Sequence, residues 1–79
     1  MGSDSNNNNE WFDPTSDIDV HVRNEGAIFL FTPITPRAKQ WIAANVQSEA
    51  QWFGQALVVE HRYALGLAVG MRDAGLVLS

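Results

Sequence analysis

The sequence predicts a small single α+β domain: a β-hairpin followed by α-β-α-β, with a three- or four-stranded sheet packed by two helices. Three observations carry this. Apolar and polar residues alternate with period two from Ile18 to Arg23, which marks a half-buried strand. Thr35-Pro36 opens a stretch with an apolar helical face. A nearly all-apolar run from Ala64 to Met71, followed by Gly75, marks a second helix and its stop. The chain has 79 residues, 46 % of them apolar, which suits one domain with a thin core.

Residues 1–16 read as a flexible acidic leader, and residues 17–79 as the domain. Asn6-Asn7-Asn8-Asn9 has nothing to bury, and Met1-Gly2-Ser3 is a common cloning start. Trp11 and Phe12 stand out in this polar stretch and are expected to dock on the domain or on a second copy.

Order is expected from Ile18. Ile18, Val20 and Val22 form one face of the first strand, with Asp19, His21 and Arg23 on the wet face. Asn24-Glu25-Gly26 is the turn, and 27–32 is a continuous apolar strand that reads as covered on both sides. Pro33 ends it. Thr35 caps the first helix, expected over 36–46 with Ala38, Trp41, Ile42 and Val46 facing inward. Residues 47–54 connect, and their aromatic pair Trp52-Phe53 reads as a lid over the core. Residues 55–59 form a short buried strand, 60–73 the second helix, and Leu76-Val77-Leu78 a closing strand reached by a right-handed crossover.

Charge is uneven along the chain. Residues 1–35 carry six acids against the single cation Arg23; residues 36–79 carry four cations against three acids. Nothing resembles the basic patch that neutralises phosphates, so nucleic-acid binding is unlikely. There is no cysteine, hence no disulfide and no thiolate ligand or nucleophile, which points to a reducing, cytoplasmic setting. Unstapled small domains often gain stability by oligomerising. No basic-then-apolar signal segment opens the chain, and its uncharged apolar stretches, 63–71 among them, are far short of the ~20 residues of a membrane span.

Chemistry is densest at Glu60-His61-Arg62-Tyr63. One reading makes Glu60 or His61 an acid–base group with Arg62 binding an anion, completed across a dimer. The plainer reading has Glu60 capping a helix, Tyr63 packing, and Arg62 pairing with a nearby acid. Helical geometry favours the second, because four contiguous residues point around the axis rather than at one substrate. Asp17, Asp19 and His21 share one face of a strand, but with His61 forty residues away they read as a solvated face, not a metal site. No serine lies in a nucleophile elbow, and Gly66-Leu67-Ala68-Val69-Gly70 lacks the ending of a phosphate loop. No catalytic, cofactor-binding or metal residue is therefore assigned.

The second helix is more informative. Ala64, Leu65, Leu67, Ala68, Val69 and Met71 cover most of its circumference, so it should be buried on all sides. Gly66 and Gly70, one turn apart, cost about 2 kcal/mol together in helix propensity and leave a flat strip. That strip is expected to seat the helix on its own sheet, on the first helix, or on a second subunit. Trp52, Phe53, Leu65, Gly66, Val69 and Gly70 are the candidate interface.

The segment 35–77 resembles short uncharacterised bacterial proteins. The resemblance lies in Thr35-Pro36 with Trp41 in the following helix, Gln51-Trp52-Phe53-Gly54, Val59-Glu60-His61-Arg62-Tyr63, and Gly75 before the last strand. It covers just over half of the chain and implies a bacterial or mobile-element origin with no assigned activity. The function expected from the residues is a non-enzymatic protein acting through protein contacts, as a homodimer or with a protein partner. The alternatives are a small ligand-binding or enzymatic site at Glu60, His61 and Arg62 completed across a dimer, and an acidic nucleic-acid mimic, through Asp13, Asp17, Asp19 and Glu25, or a phage or mobile-element regulatory protein.

Overall fold

A computed structural model describes residues 18–79. The chain runs β1 (Val20–Asn24), β2 (Ile28–Pro33), α1 (Pro36–Asn45), β3 (Trp52–Phe53), β4 (Ala56–Glu60) and α2 (His61–Asp73). The described residues form a mixed α+β domain of four antiparallel strands and two helices, with strand order β1-β2-β4-β3. The leader 1–16, with Trp11 and Phe12, lies outside the described residues, as does Asp17.

The hairpin forms as its alternation predicts. Val22 pairs with Phe31 and Val20 with Pro33, placing their side chains on one face. Gly26 turns the chain with φ +90°, and its amide donates to Asn24 Oδ1 at 2.8 Å. Parity along β2 and β4 sends Phe29, Phe31, Leu57 and Val59 to the helix-covered face. Ile28, Leu30 and Val58 point the other way and are half-buried. They take no part in the single core cluster to which both helices contribute. Among the described elements the helices form one layer, on the opposite face of the sheet.

α1 starts as its sequence dictates. Thr35 is the N-cap, its side chain accepting from the Ala38 amide at 3.3 Å, and Pro36 occupies the first turn. Ala38 and Ile42 are buried, and Trp41 and Val46 pack on the core. α2 ends on a complete Schellman motif: Gly75 donates to Arg72 O at 2.9 Å and Leu76 to Met71 O at 3.0 Å. Gly75 supplies φ +89°, and the apolar contact of the motif is the buried pair Leu76 and Met71.

Two elements differ from expectation. Trp52-Phe53 is not a lid: it is an edge strand joined to β4 by the two-residue loop Gly54-Gln55, with Phe53 opposite Ala56. Gly54 at φ +61° is the glycine-first pattern of a tight hairpin. Residues 76–78 form no full strand. The C-terminus instead adds to the free edge of β1 through one parallel bridge, Val20 to Leu78, and hydrogen bonds including Val22 N to Ser79 O at 2.8 Å.

The glycine strip divides. A Cβ on Gly70 would stand 3.5 Å from the Trp41 ring, so Gly70 seats α1 against α2. Gly66 faces open space. Gly66→Ala should therefore stabilise the folded chain by up to about 1 kcal/mol through helix propensity, read as a raised urea midpoint at unchanged m.

Candidate functional site

The sequence cluster Glu60-His61-Arg62-Tyr63 straddles the β4–α2 junction. Glu60 occupies the N-cap position but makes no side-chain cap; its carboxylate accepts from Arg62 Nε at 3.1 Å instead. The expected capping role is thus corrected. The Arg62 guanidinium lies over the Tyr63 ring at 4.9 Å, and the His61 ring tilts against Phe29 at 5.5 Å. All four residues are exposed.

Two open grooves flank this junction, and the cluster is split between them. His61 lines an apolar groove of about 250 Å³ with Val22, Phe29, Ala64, Leu65 and Ala68. Tyr63 lines another of about 670 Å³ with Val46, Ala50, Val58, Val59 and Leu67. Helical geometry causes the division, since adjacent positions on a helix point about 100° apart. The four groups do not converge on one reacting atom, as general acid–base chemistry requires.

The polar centre that the fold does build was not visible in the sequence. Asp19 is 3 % exposed, although alternation places it on the wet face of the first strand; that placement is corrected. It precedes β1 and turns inward toward the start of α1. The Thr35 hydroxyl donates to Oδ1 at 2.6 Å, Arg37 donates through Nε to Oδ1 at 2.9 Å and through Nη2 to Oδ2 at 2.7 Å, and the Val77 amide donates to Oδ2 at 2.9 Å. Arg37 Nη2 also donates to Gly75 O at 2.9 Å. The Arg37 guanidinium, with the Thr35 hydroxyl and the Val77 amide, holds the Asp19 carboxyl well below the usual carboxylate range despite its burial. One carboxylate thereby ties the start of β1, the cap of α1 and the C-terminal segment together.

This centre is saturated. Among the described residues no buried side-chain nitrogen or oxygen lacks a partner, so the carboxylate has no free valence aimed at a ligand. Its role is structural. It also takes Asp19 away from any acidic surface, while Glu25 is held by Arg23 at 2.7 Å and Asp13 and Asp17 lie outside the described residues. Among the described residues, no group of three or more His, Cys, Asp or Glu side chains is placed to hold a metal ion.

The remaining candidate residues lie on the surface. Leu65 is 75 % exposed, Phe53 73 % and Val69 48 %, and Trp52 is half-exposed beside α1 and Pro33. The expectation that α2 is buried on all sides is corrected: Ala64 and Met71 are buried, and the opposite side is open. Gly66 belongs to that open side, and Gly70 to the contact with Trp41. Among the described residues, no helix is long and apolar enough to cross a membrane. Comparison with protein-family models, with characterised proteins and with solved structures yields no match.

Proposed function

We propose that this is a non-enzymatic bacterial protein that acts through protein–protein contacts and self-associates. One observation carries the reading: α2 spends its outward side on Leu65 and Val69, exposed at 75 % and 48 %. Water contact at these positions forfeits about 25 cal/mol for every Å² of apolar surface left uncovered, and a partner recovers it. The exposed aromatics Trp52 and Phe53, on the edge strand, enlarge the apolar surface available to a partner.

Sedimentation velocity from low to high micromolar concentration tests this directly. A weight-average mass rising from one chain toward two is the expected result. A single-chain mass throughout that range would remove self-association.

A further inference from the structure

We propose that the outward ridge of α2 packs against the same ridge of a second copy, antiparallel, across a two-fold axis near Leu67 and Ala68. This rests on the self-association proposed above and names its surface. Arg62, Leu65, Gly66, Val69 and Asp73 are spaced by three or four residues, apart from the adjacent pair Leu65-Gly66. They therefore form one stripe along the helix, opposite the buried Ala64 and Met71. All five are exposed. At the middle of the stripe, nothing lies within 4 Å of where a Gly66 Cβ would stand, so another backbone can approach closely there.

The charges at the two ends of the stripe select the occupant. Arg62 stands in the first turn of α2, and Asp73 is its last residue. Each opposes the dipole of its own helix, whose start favours acids and whose end favours cations. No acid occupies that first turn, but the N-cap residue Glu60 accepts from Arg62 Nε at 3.1 Å, and Arg72 stands beside Asp73 in the last turn. An antiparallel copy adds to the Arg62–Glu60 pair the end of the partner helix and its Asp73, and symmetry makes the contact twice. A parallel pairing would set Arg62 against Arg62 and Asp73 against Asp73.

Apolar residues and charges agree on one axis. The midpoint of Arg62 and Asp73 falls between positions 67 and 68, and that of Leu65 and Val69 falls at 67. A two-fold there lays Leu65 of one copy on Val69 of the other while matching both charge pairs, as a self-complementary interface requires. A single helical ridge is a small interface, so the dimer should be weak, with Kd on the order of micromolar.

The sequence contains no cysteine, which makes engineered cross-linking clean. Under mild oxidation Gly66→Cys should form a covalent dimer. Arg62→Cys and Asp73→Cys should each fail alone, because about 16 Å separates the two positions along the helix, and should cross-link when mixed. In sedimentation, Leu65→Asp should raise Kd by roughly tenfold or more. Arg62→Asp and Asp73→Arg should each raise it roughly fivefold, and the double swap should restore it. Circular dichroism establishes that each variant is folded, and all the substituted side chains are exposed.

The outcomes separate. A wild-type chain that stays monomeric removes both this inference and the self-association beneath it. A wild-type dimer that is indifferent to Leu65→Asp and not cross-linked by Gly66→Cys leaves self-association standing and overturns the ridge. Cross-linking of Arg62→Cys to itself overturns the antiparallel arrangement.

Discussion

Replacing Asp19 with alanine should destabilise the domain by about 3 kcal/mol or more, read as a lower urea midpoint and a lower Tm. The loss comes mainly from the inner side of the centre. The Thr35 hydroxyl and the Val77 amide lose their acceptor in a part-buried setting, at about 1–3 kcal/mol for each group left unpaired. The Arg37 side chain is 59 % exposed, so its freed guanidinium is rehydrated and adds less. Arg37→Leu should accordingly cost less than Asp19→Ala. A domain of this size holds roughly 5 kcal/mol in all, so the alanine variant keeps only about 2 kcal/mol or less. Asp19→Asn, which retains the shape, keeps the measurement available. If Asp19→Ala shifted the midpoint no more than an exposed-site control such as Glu49→Ala, the centre would not be a principal tie of the fold.

The same carboxylate sets the acid response. Its folded pKa is depressed, chiefly by the Arg37 hydrogen bonds, whereas the unfolded chain titrates near the ordinary value of about 3.9. The unfolded state therefore takes up the proton first on acidification. The contribution of Asp19 is fully present above about pH 4 and drains away as pH falls through that value toward the folded pKa. Denaturant melts from pH 6 to pH 2.5 should show stability falling across the acid end in the wild type. Asp19→Asn should start lower at neutral pH and lose less over that range. Equal slopes for the two proteins would refute the assignment.

Phe31→Ala should cost about 3–5 kcal/mol and abolish cooperative unfolding or bring it close to room temperature. Phe31 is 1 % exposed and lies between Val22 on β1 and Leu57 on β4, under both helices. In so small a core few side chains can move in to fill its volume. Phe31→Leu should retain a cooperative transition at a smaller loss. A Phe31→Ala protein melting within a few degrees of the wild type would show that the core lies elsewhere.

Most of the fold can be read from local patterns. The hairpin follows from alternation between Val20 and Arg23 and a turn ending in Gly26. The start of α1 follows from Thr35-Pro36, and the end of α2 from Gly75. Each depends on residues within a few positions of one another, where backbone sterics and capping act. β3 carried a usable signal: Gly54-Gln55 between Trp52-Phe53 and an apolar run is a two-residue hairpin loop. Two adjacent aromatics suggest a packed segment, but a side chain on an edge strand packs only if something lies beyond the edge.

Asp19 shows the other limit. Its four donors come from Thr35, Arg37 and Val77, up to 58 positions away. Period two assigns a residue to a face, and this assignment holds only while the strand stays straight. At the bend before β1 the rule ends, and the backbone carries the carboxylate to the start of α1.

Taken by itself, the sequence determined the α+β class, the hairpin, both helices, the cap that starts α1 and the glycine that ends α2, because those rest on periodicity and on short-range hydrogen bonding. It also determined that α2 carries more apolar surface than one small sheet can cover. Only the tertiary structure decided which side of α2 that surplus occupies, that Gly70 goes to Trp41 while Gly66 remains open, and that Asp19 is buried. The reason is physical: which residues end up facing water depends on what chain segments far apart in sequence bring together, and no local pattern encodes that.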